Sequence, residues 1–183
     1  MKMDPSLKFY FAHQKQIEEW TSLSRLIPEE VLKFMKEVAS SLEKESVGWT
    51  GPPDVVVFLD QNYPEILLQK RSWVYSKPND AHATICIASS SAKPLYHSLK
   101  TGVTAEPEGP IYKKLHPRLK EELARVPGSE NGSADKWWAR YWEEPVPEEF
   151  WDHLDEFKDA LVKRMFDHWV RFAPIIDKVL GEI

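Results

Sequence analysis

The sequence predicts an α+β fold in two layers, a small antiparallel sheet of three to four strands packed against two long helices. Three observations carry this expectation. Apolar residues recur every three or four positions from Ile17 to Leu42, and again from Phe150 to Leu180, which marks two amphipathic helices. Between them, residues 54–60, 65–74 and 83–88 form β-branched or apolar runs bounded by Gly, Pro and Asn. Each helix offers one apolar stripe and the sheet needs one face covered, so both helices on one side of the sheet satisfy every element. A length of 183 residues fits a single domain, 1–183, without internal repeats.

The first stripe runs through Ile17, Trp20, Leu23, Ile27, Val31, Phe34, Val38 and Leu42. Pro28 interrupts it by removing one N–H, yet the phase survives, which predicts one kinked helix over about residues 6–44. Gly48, Gly51, Pro52 and Pro53 end that helix, and residues 54–60 follow as a strand. Turn chemistry at 61–64 returns the chain through 65–74 as a hairpin; 83–88 gives a third strand and 102–106 a weaker fourth. Leu115, Leu119 and Leu123 space a short helix over 113–125, with Pro117 expected in its first turn. Residues 127–133, rich in Gly, Ser and Asn, read as a loop free to move without cost to the core. Pro147, Glu148 and Glu149 suit the first turn of the last helix. Its buried side is marked by Phe150, Leu154, Phe157, Leu161, Met165, Phe172, Ile176 and Leu180.

Composition narrows the function classes. The formal net charge of −5 argues against broad electrostatic attraction to nucleic acid, although Lys113, Lys114, Arg118 and Lys120 form a local basic segment with His116. The opposite sign gathers between Glu143 and Asp159, with eight acids against one lysine. The lone Cys86 excludes an internal disulfide and cysteine-ligated zinc within one chain. With neither a secretory leader nor an apolar run long enough to span a bilayer, the chain is expected to be cytoplasmic, with no membrane partner.

Catalytic patterns fail on spacing. A metal-dependent nuclease would need acids and a lysine converging on one ion, and the candidates are Asp54, Glu65 and Lys70. A turn between Asp60 and Pro64 puts Asp54 opposite Lys70 and Glu65 beside Leu59, leaving the two acids roughly 16 Å apart. Metal ligands lie about 2 Å from magnesium, so these acids cannot share an ion. His153 and His168, on the last helix, have no partner at ligand spacing and read as surface residues. Ser89 to Ser91 lack a glycine elbow, Cys86 reads as an inert core thiol, and no glycine-rich loop cradles a phosphate. No catalytic residue, metal or cofactor is therefore expected.

The densest feature lies between Asp135 and Trp151, where seventeen residues hold four of the eight tryptophans and Tyr141. If this stretch is helical, Trp138, Trp142 and Tyr141 share a face, Trp137 points elsewhere, and Lys136 and Arg140 line the border. Such rings either cap the end of the core or form an aromatic wall able to stack a base or planar ligand.

Residues 9–20, 67–73, 137–142 and 172–177 together resemble a group of short uncharacterised bacterial and mobile-element proteins. Similar segments resemble the accessory C-terminal region of some PD-(D/E)XK-like nucleases. That resemblance implies a shared fold without the catalytic motif, hence a recognition or regulatory domain, with a setting in conflict between host and mobile element.

The leading expectation is a non-catalytic module that recognises a protein, a nucleotide or single-stranded nucleic acid. Its candidate contacts are Lys136, Trp137, Trp138, Arg140, Tyr141, Trp142 and Trp151, with Lys113 and Lys114 beside them. Two alternatives stand against it. One is a metal-dependent hydrolase of nucleic acid or nucleotide, built on the acids between Asp152 and Asp159; the other is a homodimer that uses the aromatic segment as its interface.

Overall fold

A computed structural model describes residues 4–24, 26–59, 63–77, 80–89, 99–144 and 152–183, without the side chains of residues 23, 24 and 27. In chain order the elements are α1 (Pro5–Ser24), α2 (Ile27–Ser46), β1 (Asp54–Leu59), β2 (Pro64–Gln69), a 3-10 turn (Arg71–Trp73), β3 (Ala83–Ala88), β4 (Lys100–Ala105), α3 (Tyr112–Ala124), β5 (Trp138–Glu143) and α4 (Leu154–Gly181). The α+β class agrees with the sequence. Among the described residues, however, the sheet has five strands rather than three to four, and there are four α-helices rather than two long ones with a short third.

The single kinked helix expected over 6–44 is two helices. Pro28 sits in the first turn of α2, where its missing N–H costs nothing, and Glu29 and Glu30 place carboxylates at the positive end of the helix dipole. Downstream of Pro28 the predicted stripe holds, because Val31, Phe34, Val38 and Leu42 are all buried. Upstream it fails: Trp20 is 67% exposed, and none of the described side chains of α1 belongs to the core. Asp4 starts α1 as its cap, accepting the Ser6 N–H at 2.7 Å, a bond that lowers its carboxyl below the usual range.

All neighbouring strands pair antiparallel in the order β1-β2-β3-β4-β5, a meander. Period-2 alternation sorts their side chains onto two faces. Ile66, Leu68, Ile85, Ile87, Val103 and Ala139 face the main core, where α2, α3 and α4 supply Phe34, Met35, Leu42, Leu119, Met165, Phe172 and Ile176. Leu67, Cys86 and Trp138 lie on the other face, flanked by Val56, Phe58, Ala88 and Tyr141, with no helical residue in that cluster. Cys86 is buried there, and burial pushes its thiol well above the ordinary value.

Leu115, Leu119 and Leu123 of α3 are buried as their spacing predicts, but α3 begins at Tyr112, so Pro117 falls inside the helix rather than in its first turn. The loop at 127–133 is held rather than free. Arg140 donates to the carbonyls of Ser129 and Glu130, Arg171 donates to that of Pro127, and Ser129 is fully buried. No described helix is long and apolar enough to cross a membrane.

Candidate functional site

The aromatic stretch, in which a helix would have put Trp138, Tyr141 and Trp142 on one face, is the edge strand β5, and this changes which rings meet. The pairing of β5 with β4 shifts at Val103/Thr104, so Thr104 faces Trp138, Val103 faces Arg140, Gly102 faces Tyr141 and Thr101 faces Trp142. Trp138 and Tyr141 consequently share the helix-free face, with centroids 5.7 Å apart. Trp142 goes to the opposite face and stacks on Phe172 of α4 at 5.6 Å and an interplanar angle of 5°. A single wall of Trp138, Tyr141 and Trp142 is thus ruled out by the strand. Trp151 and the expected helix start at Pro147 lie outside the described residues.

Gly102 permits this arrangement. Its φ is +155°, and a Cβ there would lie 2.1 Å from the Arg140 carbonyl oxygen and 2.7 Å from the Tyr141 Cα. Only glycine lets β5 approach β4 so closely.

Arg140, expected at the border of a binding wall, is instead a clamp on the 127–133 loop, and its Nε is buried without a partner. A Cβ on Gly132 would lie 2.5 Å from that Nε, so loop and guanidinium fill one another's space. Residues 133–135 then cover the outer edge of β5: Ser133 and Tyr141 exchange backbone bonds at 2.8 Å, and the Asp135 N–H donates to the Trp138 carbonyl at 3.0 Å. The Asp135 carboxylate accepts the N–H groups of Trp137 and Trp138 at 2.8 and 3.0 Å. These contacts protect an edge that would otherwise invite strand pairing.

Lys136 and Trp137 remain exposed. The Lys136 Nζ lies 5.2 Å from the Trp137 ring centroid, and that ring is 51% exposed. Tyr112, first residue of α3, donates its hydroxyl to the Lys136 carbonyl, which brings the exposed Lys113 and Lys114 to the same end of β5. A second pair lies along the sheet, where the Lys100 Nζ is 4.2 Å from the Tyr141 centroid. Among the described residues no carboxylate is ion-paired to Lys100, Lys113, Lys114 or Lys136. Attraction between a cation and a ring face holds each ammonium where it can also meet an anion.

Behind Trp142 lies a buried polar chain that the sequence reading missed. Thr101 donates to Glu144 Oε1 at 2.5 Å and lies 3.0 Å from His168 Nε2; Arg164 Nε approaches the same Glu144 oxygen at 3.4 Å. Since the Thr101 proton is committed to the carboxylate, its oxygen accepts from His168 Nε2–H, which fixes the neutral tautomer. His168 Nδ1 is buried without a partner. Burial, reinforced by Arg164 and Arg171, pushes the imidazole down to about 3. The expected surface position for His168 is therefore wrong, since it is 2% exposed, whereas His153 lies open beside Glu156. The signal was present: three residues after Met165 and four before Phe172, position 168 falls on the buried stripe of α4.

The nuclease candidates stay apart. Asp54 pairs with Gln69, one residue short of the expected Lys70, and Glu65 pairs with Phe58, not Leu59. Four strand positions still separate the acids, roughly 13 Å. Glu65 is raised above the ordinary range by burial and then by Glu106. Lys70 instead bonds Asp177 at 2.5 Å, and the other oxygen of that carboxylate accepts Trp73 Nε1–H at 2.7 Å. Two of the segments singled out in the sequence, 67–73 and 172–177, thus meet in a structural lock between the sheet and α4. Among the described residues no group of three His, Cys, Asp or Glu is placed to hold a metal ion, and Asp155 and Glu156 have side chains 89% and 83% exposed.

Comparison of the chain with protein-family models, with curated proteins and with solved structures found no match, so the reading of this site rests on its own geometry.

Proposed function

We propose that the protein is a non-catalytic binding module that takes single-stranded nucleic acid along the β5 edge. The observation that carries this reading is the repeated lysine-on-ring pair, Lys136 over Trp137 and Lys100 over Tyr141, with Lys113 and Lys114 alongside. Along a strand, positions 137 and 141 are roughly 13 Å apart, enough for two separate stacking platforms with phosphate contacts between them. A nucleotide alone finds less support. Among the described residues, an open cleft of about 530 Å³ lined by Lys15, Glu18, Glu19 and Ser22 offers neither a ring nor an arginine. The hydrolase alternative has the weakest footing, because the acids it needs near Asp155 fan into solvent. The sequence resemblance extends the proposal to a regulatory part in conflict between host and mobile element.

Titration with single-stranded RNA and DNA, read by intrinsic tryptophan fluorescence, tests it. A saturable change is expected, weakened at least about fivefold in Trp137→Ala, since stacking is worth roughly 1–3 kcal/mol per base. Four lysine–phosphate contacts give a log–log salt slope of about −3 for a single strand. A flat response at low salt, or binding indifferent to Trp137→Ala, would overturn the assignment.

A further inference from the structure

Trp137 combines an open ring with a fully engaged backbone. The ring is 51% exposed, yet the Trp137 N–H donates to the Asp135 carboxylate at 2.8 Å and its carbonyl accepts the Ala105 N–H at 3.0 Å. On one side, the Lys136 carbonyl accepts the Tyr112 hydroxyl. On the other, the Trp138 N–H donates to the same Asp135 oxygen at 3.0 Å, and the Asp135 N–H donates back to the Trp138 carbonyl at 3.0 Å. Three parts of the chain thus grip three consecutive residues: the end of β4 through Ala105, the start of α3 through Tyr112, and the approach to β5 through Asp135.

The side chain held this way does not build the core, because Trp137 belongs to neither apolar cluster of the described residues. A surface ring fixed in advance spares the ligand the cost of ordering it, which for one side chain is worth roughly two- to tenfold in affinity. Burial, and then the Asp135 carboxylate, raises the Tyr112 hydroxyl above its ordinary value, so it stays a donor to Lys136. Asp135 is the informative member, because its charge and its geometry act in opposite directions. A carboxylate beside Lys136 and Trp137 repels a polyanion, and no cation is ion-paired to it among the described residues.

We infer that Asp135, together with Tyr112, is a positioning residue that presents the Trp137 ring to single-stranded nucleic acid. The inference rests on the reading of the β5 edge as a single-strand site and adds to it the residues that set the ring. Asp135 acts through the two amides it accepts and Tyr112 through the Lys136 carbonyl, neither through the ligand. Substitution separates geometry from charge at Asp135. Asparagine keeps a side-chain oxygen that accepts N–H groups and drops the charge, whereas alanine drops both.

Fluorescence anisotropy of a labelled oligouridylate, titrated with the full chain at low salt, reads the affinity. Asp135→Ala should weaken binding roughly two- to tenfold even though it removes a negative charge, and Asp135→Asn should bind as tightly as the parent or tighter. Tyr112→Phe releases the Lys136 carbonyl without altering any charge and should weaken binding at least about twofold. In the free protein, the Trp137 and Trp138 amides should exchange with deuterium at least about tenfold faster in Asp135→Ala and at parent rates in Asp135→Asn. The amides of α4 should keep parent rates in every variant, which separates a freed ring from a loosened fold. If Trp137→Ala weakens binding while Asp135→Ala leaves it unchanged or tightens it, the carboxylate acts only as a charge; the inference is overturned and the β5 site stands. Equal weakening by Asp135→Asn and Asp135→Ala overturns it too, as does an affinity unchanged in Tyr112→Phe. A titration that is flat in the parent, or indifferent to Trp137→Ala, removes the site itself and the inference with it.

Discussion

At the scale of single residues, Gly102 and His168 have the sharpest consequences. Alanine at 102 must hold a positive φ and push a methyl into the Arg140 carbonyl, and neither backbone can retreat without parting β4 from β5. Gly102→Ala should therefore cost more than about 3 kcal/mol by urea unfolding, at the upper end of overpacking penalties; a loss under about 1 kcal/mol would show that the two strands are less closely joined. His168 acts through protonation. Its folded value of about 3 lies below the ordinary 6.5, so the unfolded chain binds this proton first. Its contribution is complete above pH 6.5 and falls as pH drops toward 3, by about 1.4 kcal/mol per pH unit. His168→Gln keeps an amide donor for Thr101 and removes the titration. Urea midpoints between pH 7 and pH 4 should then fall less steeply in the variant than in the parent, and parallel slopes would show that the imidazole is not held neutral.

At the scale of elements, the sheet and α4 are joined by Asp177, which accepts from both Lys70 and Trp73. Trp73 is fully buried and packs 5.5 Å from Trp169, so removing the acceptor leaves an indole N–H without its partner in the core. Asp177→Ala should cost about 1–3 kcal/mol in urea, while Lys70→Met should cost less than about 1 kcal/mol because its ammonium is partly solvated. Equal losses would assign the lock to the ion pair rather than to the indole bond. Much at this scale was legible in the sequence. The buried stripes of α2, α3 and α4 and the strand at Ala83–Ala88 follow from period, because burial on one face leaves a repeating mark. What escaped were elements whose residues fit two periods. β5 carries Trp138, Trp142 and the small Ala139 at spacings that suit a helix, and only pairing with β4 across Gly102 makes it a strand. The candidate site inherited that ambiguity, since a helix would have gathered the rings that the strand divides between two faces.

At the scale of the whole molecule, the described tryptophans sort into those that build the core and those that meet solvent. Trp73 and Trp169 belong to the main core and Trp138 to the outer cluster, whereas Trp20 and Trp137 are 67% and 51% exposed. Each exposed ring marks a different surface: α1, and the β5 edge, whose partner under the proposed function would be a single strand. Iodide quenching separates the two surfaces in one protein. Replacing both residues with Phe should remove the larger part of the quenchable emission, because the buried indoles are shielded from a hydrated anion. With only Trp137→Phe in place, the quenchable component reports Trp20 and should stay unchanged when single-stranded RNA is added, because the proposed binding edge is β5. With only Trp20→Phe, it reports Trp137 and should shrink when single-stranded RNA is added but not with concentration. Quenching of Trp137 that falls with chain concentration rather than with added RNA would make β5 a subunit contact, where the lysine-bordered rings would serve assembly rather than recognition.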